Sequence, residues 1–235
     1  MNQHYLYLLI DIGCLIVPLI ASFYHRHAFY KEWKYFIPAN LIVAVFFLIW
    51  DHFFTKIGVW GFNPDYLTGY YISNLPIEEV LFFIAIPYAS VFTYFAIMYL
   101  IRKNPLEIFQ HKISLVLSVI LIFTGLLYYD RWYTFANLTL SGIIILLALL
   151  QKRAMSYIYL GFVFVIPFFL ISNGILTGTL LESPIVWYNN EENLGYRILT
   201  IPVEDVFYGF SLISLNIFLY EYFKAMFRRN QKVEV

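Results

Sequence analysis

Charge is scarce in this sequence. Asp, Glu, Lys and Arg make up 13% of its 235 residues, and 15 basic side chains are cancelled by 15 acidic ones. Soluble domains carry about 25% charged residues, so a water-soluble globule is excluded. A disordered chain is excluded too, since it needs low hydrophobicity and high net charge. Without a basic excess there is no electrostatic case for nucleic acid. Cysteine is nearly missing: Cys14 alone rules out an intrachain disulfide. No Gly-x-Gly-x-x-Gly follows a strand-like run, which removes the dinucleotide-binding fold. His25, His27 and His52 have no cysteine or carboxylate partners at metal-ligand spacing, so no metal is expected. The start, Met1-Asn-Gln-His4, lacks the basic flank of a cleaved signal peptide, so the first apolar run is expected to be a retained span.

What fills the space is hydrocarbon. Apolar residues reach 61% and the mean hydropathy is +0.71. Aromatic residues reach 21%, with 24 Phe, 21 Tyr and 5 Trp, more than an interfacial belt requires. A helix crosses a bilayer with about 20 apolar residues. Seven runs qualify, at roughly 5–24, 35–54, 75–101, 113–129, 134–150, 157–176 and 200–223. The fourth and fifth are short and joined by Tyr129-Asp-Arg-Trp-Tyr133, so six spans is the competing count. Pro18, Pro87 and Pro167 fall inside spans, where each frees a carbonyl.

With seven spans, the side opposite the N-terminus carries Arg26, Lys31, Lys34, Arg102, Lys103, Lys112, Lys152, Arg153, Lys224, Arg228, Arg229 and Lys232. The N-terminal side carries Lys56, Arg131 and Arg197, so the count is 12 against 3. The excess of Lys and Arg predicts an N-terminus outside and a C-terminus in the cytoplasm, as in a bacterial inner membrane. The basic tail reads as an anchor at an anionic leaflet. The two longest connections, about 55–74 and 177–199, share the N-terminal side and are rich in aromatics. That fits lids over a site, and it fits equally an aromatic belt at headgroup level.

The chain also repeats itself. A shift of 126 brings Phe62 onto Tyr188, Asn63 onto Asn189, Gly69 onto Gly195, Pro76 onto Pro202, Glu78 onto Glu204, Glu79 onto Asp205 and Phe82 onto Tyr208. The expected fold is an all-α polytopic bundle of about seven transmembrane helices. Residues 1–102 form a first repeat of three spans, 103–130 a linker span, and 131–235 a second repeat with the basic tail. Three spans plus one linker bring the second half in parallel to the first, so both acidic motifs start their helices on the same side.

Pro-x-acid-acid has an ordinary reading: proline pre-organises a helix start and acids complement the macrodipole. It also has a chemical one. The motif occurs twice, heads Phe- and Tyr-rich spans, and sets carboxylates at the edge of hydrocarbon, where charge is costly. A neighbouring acid and an apolar pocket let one carboxyl stay protonated while another is ionised. Phe82, Phe83 and Tyr208 would place electron-rich faces near a developing cation, or serve as plain core aromatics. Asp11, in mid-span, is read first as a hydrogen-bonding partner of another helix. Asp51 ends span two and Asn173 span six, and they are read as positional counterparts across an insertion.

These residues resemble the integral-membrane lycopene cyclases in their fused two-repeat form. The resemblance rests on Trp50-Asp51, Trp60-Gly-Phe-Asn-Pro64, Gly69 and Leu75-Pro-Ile-Glu-Glu79 with Phe82-Phe83. In the second half it rests on Asn173-Gly-Ile-Leu-Thr177, Trp187-Tyr-Asn189, Gly195-Tyr-Arg197 and Ile201-Pro-Val-Glu-Asp205 with Tyr208-Gly209. It covers essentially the whole chain and implies a fold distantly similar to UbiA-type membrane prenyltransferases. It implies proton-initiated closure of the linear ends of lycopene into β-rings, via a one-ring carotene, without net redox chemistry. It implies Glu78, Glu79, Glu204 and Asp205 as proton donor and acceptor. Asp51, Trp60, Asn63, Phe82, Phe83, Asn173, Trp187, Asn189, Arg197 and Tyr208 are implied as substrate-binding or orienting residues. No cofactor is expected, neither flavin nor metal. The expected partners are a linear carotene and the lipid bilayer, with a homo-oligomer or contacts to neighbouring carotenoid enzymes left open. The competing functions are a UbiA-like prenyltransferase or elongase-type enzyme and a non-enzymatic carotenoid-binding or transport protein. A prenyltransferase needs Asp-rich motifs for Mg²⁺ and diphosphate, and neither lid holds an Asp-x-x-x-Asp array.

Overall fold

The computed structural model describes residues 3–26 and 28–233. His27 lies outside the described residues, and of Lys232 only its place in the last helix is described. Among those residues seven helices are long and apolar enough to cross a membrane, which settles the count at seven. They are α1 (Leu6–Ala21), α2 (Trp33–Ile57), α3 (Ile77–Leu100), α4 (Gln110–Leu127), α5 (Trp132–Leu150), α6 (Ser156–Leu176) and α7 (Val203–Val233). The short fourth and fifth runs are separate helices that pack on each other. Glycine makes their close approach possible: a Cβ on Gly142 would fall 2.6 Å from the Ile122 side chain and 3.0 Å from the Ser118 carbonyl.

The shift of 126 is visible in the geometry. The connection between α2 and α3 holds strand β1 (Trp60–Phe62) and the hairpin β2 (Tyr71–Ile72) with β3 (Leu75–Pro76). The connection between α6 and α7 holds β4 (Val186–Tyr188) and the hairpin β5 (Arg197–Ile198) with β6 (Ile201–Pro202). β1 and β4 pair antiparallel, with Gly61 opposite Trp187, Trp60 opposite Tyr188 and Phe62 opposite Val186. Gly61 and Trp187 are themselves repeat counterparts, so the local two-fold axis passes between them. The Asn63 N–H donates to the Ile185 carbonyl and the Asn189 N–H to the Val59 carbonyl, each at 2.8 Å. The two long connections are therefore one structure, each pairing the other's backbone. This geometry favours the lid over the belt. A buried backbone edge must find partners, and here each half supplies them to the other.

Candidate active site

Each β-hairpin hands the chain directly to an acidic helix start. Pro76 precedes α3 with an extended backbone, and Glu78 and Glu79 occupy the first turn. Glu204 and Asp205 hold the same places in α7. Consecutive helical residues point about 100° apart, and that rotation gives the two acids of each pair different surroundings. Glu78 turns to its own lid, where Oε1 accepts the Thr68 N–H at 2.7 Å. Glu204 Oε1 accepts the Leu194 N–H at 2.7 Å, the counterpart bond, and the Thr134 hydroxyl at 2.7 Å. Both side chains are fully buried.

Glu79 and Asp205 turn inward. The Tyr7 hydroxyl donates to Glu79 Oε2 at 2.5 Å, and the Tyr133 hydroxyl donates to Asp205 Oδ1. Tyr7 and Tyr133 are also 126 residues apart, so each half provides its acid with a tyrosine from its own first helix. Asp205 takes two further bonds on Oδ2, from the Asn173 amide at 2.8 Å and the Tyr188 hydroxyl at 3.0 Å. Among the described residues Glu79 has the Tyr7 bond alone.

Both inward acids line one cavity of about 580 Å³, with Asp51, Tyr7, Tyr133, Tyr188, Tyr208, Trp60, Phe62, Phe82 and Asn173 around them. None of the residues lining it is Lys or Arg. Rings crowd the Asp205 end. Tyr133 stacks on Tyr188 at 5.7 Å, and Trp60 meets Tyr133 at 5.1 Å, Tyr188 at 6.1 Å and Tyr208 at 6.2 Å. Burial, and then the Asp205 carboxylate beside it, push the Tyr188 hydroxyl well above the usual phenol range, so it stays a donor. Asp51 is buried, and its Oδ1 takes the Trp60 indole N–H at 2.5 Å.

The expected site residues thus divide. Glu79, Asp205, Asp51, Trp60, Phe82, Asn173 and Tyr208 meet at the cavity. Glu78 and Glu204 lie behind it as anchors of the lids. Phe83 is buried outside it, stacked on Phe47 at 6.0 Å. Asn63 and Asn189 shape the lid turns, accepting the Asp65 and Glu191 N–H groups through their side chains. Trp187 is half-exposed, because neighbours along a strand alternate faces and Tyr188 takes the inner one. Arg197 is exposed and bonds to the Thr200 carbonyl and Asn190. Asp51 and Asn173 are geometric counterparts across an insertion: the Val59 N–H donates to the Phe54 carbonyl at 3.0 Å and its counterpart, the Ile185 N–H, to the Leu176 carbonyl at 2.9 Å, so four extra residues after α6 set that helix on α2 at a shift of 122. The residues not anticipated are Tyr7, Tyr133 and Tyr188. The first two share the repeat shift but sit in runs so aromatic that one more coincidence gives no contrast.

Asp11 is buried, and neither of its carboxylate oxygens has a hydrogen-bond partner among the described residues. Its counterpart is Asn137, whose amide donates to the Glu204 carbonyl at 2.5 Å. By the repeat, an amide at position 11 would stand toward the Glu78 carbonyl as the Asn137 amide stands toward that of Glu204. Asp11→Asn is therefore expected to change stability by less than about 1 kcal/mol, whereas Asn137→Leu costs about 1–3 kcal/mol by stripping a buried bond. Thermal unfolding of the detergent-solubilised variants checks both; a severe loss in Asp11→Asn would contradict the equivalence.

Seven spans closed by a paired lid over an apolar, aromatic chamber with two inward carboxyls define a polytopic membrane protein built to handle a hydrophobic molecule. The family model described as Lycopene cyclase matches residues 4–98 and 130–223, and the chain belongs to that family. The family is one of enzymes that cyclise a carotene in the membrane. Among curated proteins and among solved structures nothing matches the chain.

Proposed function

We propose that the protein is a lycopene β-cyclase that closes the linear ends of lycopene one at a time, passing through a one-ring carotene. The observation that carries this is the unequal solvation of two acids in one apolar chamber. An ionised carboxylate is an acceptor only, with about four sites. Asp205 receives three donors and is suited to be the ionised partner. Glu79 receives one and keeps room for its own proton. Glu79 gives that proton to C2 of the terminal C1=C2 double bond, which leaves a cation at C1. The C5=C6 electron pair attacks C1, forming the C1–C6 bond and moving the cation to C5. Loss of the C6 proton to Asp205 restores C5=C6 and gives the β-ring; loss from C4 would give the ε-ring. One proton enters and one leaves, so the conversion is an isomerisation with no oxidant or reductant. Trp60, Tyr208 and Phe82 present ring faces to the cation, each worth about 0.5–2 kcal/mol, and the lid keeps out water that would capture it.

A diphosphate substrate would need cations at the cavity, and its lining offers none. The distribution of Lys and Arg supports placing the lids and N-terminus outside and the basic α7 tail in the cytoplasm. The test is expression in a host that accumulates lycopene, followed by chromatography of the pigments. A shift to a two-ring β-carotene, with a one-ring carotene appearing first, is the expected result. An ε-ring would move the deprotonation to C4. Unchanged lycopene with the protein in the membrane would overturn the reading in favour of binding or transport.

A further inference from the structure

The two halves repeat, but the chamber between them does not, and the departures from symmetry all lie on one side. Gly209 lines the cavity, and its counterpart is Phe83, fully buried. Ser172 lines the cavity, and its counterpart at the α2–α6 shift of 122 is Trp50, which stacks on Phe47 at 5.9 Å. Phe47 in turn meets Phe83 at 6.0 Å and Tyr208 at 5.1 Å. Space that is open beside α6 is thus filled with rings beside α2. The outer flank differs as well: α5 is packed against α4, while α1, its counterpart, has no linker helix over it.

The open side reaches the surface. Gly13 and Val17 of α1 and Phe168 and Ile171 of α6 line the cavity and are also exposed, Val17 at 69%, Phe168 at 71% and Ile171 at 65%. Cys14 and Ser172 line it between them, with the thiol within hydrogen-bonding reach of the hydroxyl. These residues follow helical spacing, so each helix presents one continuous face to the gap. Cys14 lies eight residues beyond the start of α1, about 12 Å along the helix at a rise of 1.5 Å per residue. That depth is hydrocarbon, not headgroup. Ser172 is followed directly by Asn173, which donates to Asp205, so the gap leads straight to the acids.

We propose that the gap between α1 and α6 is the lateral portal through which the linear end of a carotene passes from the hydrocarbon layer into the chamber, and that the equivalent passage between α2 and α5 is shut by Phe47, Trp50 and Phe83. This rests on the cyclase reading. A single portal admits one end group, so a molecule with two ends must leave, turn and re-enter. The apolar rim fits a hydrocarbon chain and would exclude a diphosphate or a hydrated headgroup.

The native Cys14 supplies half of the test. In membranes carrying Ser172→Cys, oxidation with copper phenanthroline should join α1 to α6, and loss of both free thiols reports the bond. The oxidised sample is expected to convert lycopene at least tenfold more slowly than the same sample after dithiothreitol. A second comparison needs no disulfide. Ile171→Trp at the rim is expected to slow ring formation at least tenfold, while Ile49→Trp, at the exposed counterpart position on the closed side, leaves it within twofold. Oxidised protein that retains its rate would overturn the portal, and so would an Ile49→Trp loss as large as that of Ile171→Trp. If the unaltered protein in the same membranes leaves lycopene unchanged, it is the cyclase reading that fails; if it forms rings and neither constraint slows it, only the portal fails.

Discussion

Glu79→Gln is expected to stop ring formation while the protein still inserts, a loss of roughly 10²–10⁴ in turnover, the range spanned by positioned acids and bases. Glutamine keeps the size of the side chain and an oxygen for the Tyr7 hydroxyl, which bonds Glu79 at 2.5 Å. It has no proton to give. Asp205→Asn should cost as much and more besides, since three donors converge on the carboxylate and an amide turns an N–H toward at least one of them. The acids one residue earlier should behave differently. Glu78→Gln retains an acceptor for the Thr68 N–H, and Glu204→Gln one for the Leu194 N–H. Their effect is expected in stability, about 1 kcal/mol each, with turnover kept within tenfold. The comparison is decisive as two doubles, Glu79→Gln/Asp205→Asn against Glu78→Gln/Glu204→Gln, with pigment formed per amount of inserted protein as the readout. An inactive second double beside an active first would reverse the roles of the pairs.

That division also marks where the sequence stops being readable. The apolar runs announced seven spans because hydrocarbon length is a one-dimensional property. The shift of 126 was legible because asparagine, glycine, proline and paired acids are rare against an apolar background. It could not say which acid faces inward: two adjacent residues share every sequence property except azimuth, and azimuth is fixed by the hairpin that delivers the chain to the helix. Trp187 and Tyr188 show the same limit on a strand. Both are aromatic and adjacent, and only the register of β1 on β4 turns Tyr188 toward Asp205 and leaves Trp187 over Gly61. Arg197 is given an orienting role by the resemblance alone, through Gly195-Tyr-Arg197, yet its bonds to the Thr200 carbonyl and Asn190 belong to the lid. The pair Gly209 and Phe83 was missed for another reason. A repeat search rewards matches, whereas the chamber is made by a mismatch, a missing ring in one half where the other half keeps one.

Trp60→Ala should change what is made as well as how fast. The indole is 5% exposed and packs against Phe54 at 5.0 Å, Tyr133 at 5.1 Å, Tyr188 at 6.1 Å and Tyr208 at 6.2 Å, directly under the β1–β4 pairing. Removing it costs about 3–5 kcal/mol in stability by analogy with other buried aromatic truncations, so the comparison must be made per amount of folded, inserted protein. The chemical effect has two parts. One ring face near the cation is lost, and a polar void opens between Asp51, which loses its 2.5 Å indole bond, and Asp205. Water in that void competes with the C5=C6 bond for the C1 cation. Capture by water adds oxygen at C1, returns a proton to a base, and ends the reaction as an acyclic tertiary alcohol one water heavier than lycopene. The expected chromatogram therefore shows less ring product and a new, more polar acyclic pigment with lycopene's mass plus 18, by elementary mass balance. Trp60→Phe keeps a ring in the wall and loses only the N–H to Asp51, so it should form far less of the alcohol while paying the same lost hydrogen bond. Equal alcohol from both variants would place the protection in the Trp60–Asp51 bond; no alcohol from either, with ring formation merely slowed, would show that the cation is shielded by the remaining aromatic wall and that Trp60 acts only by filling space.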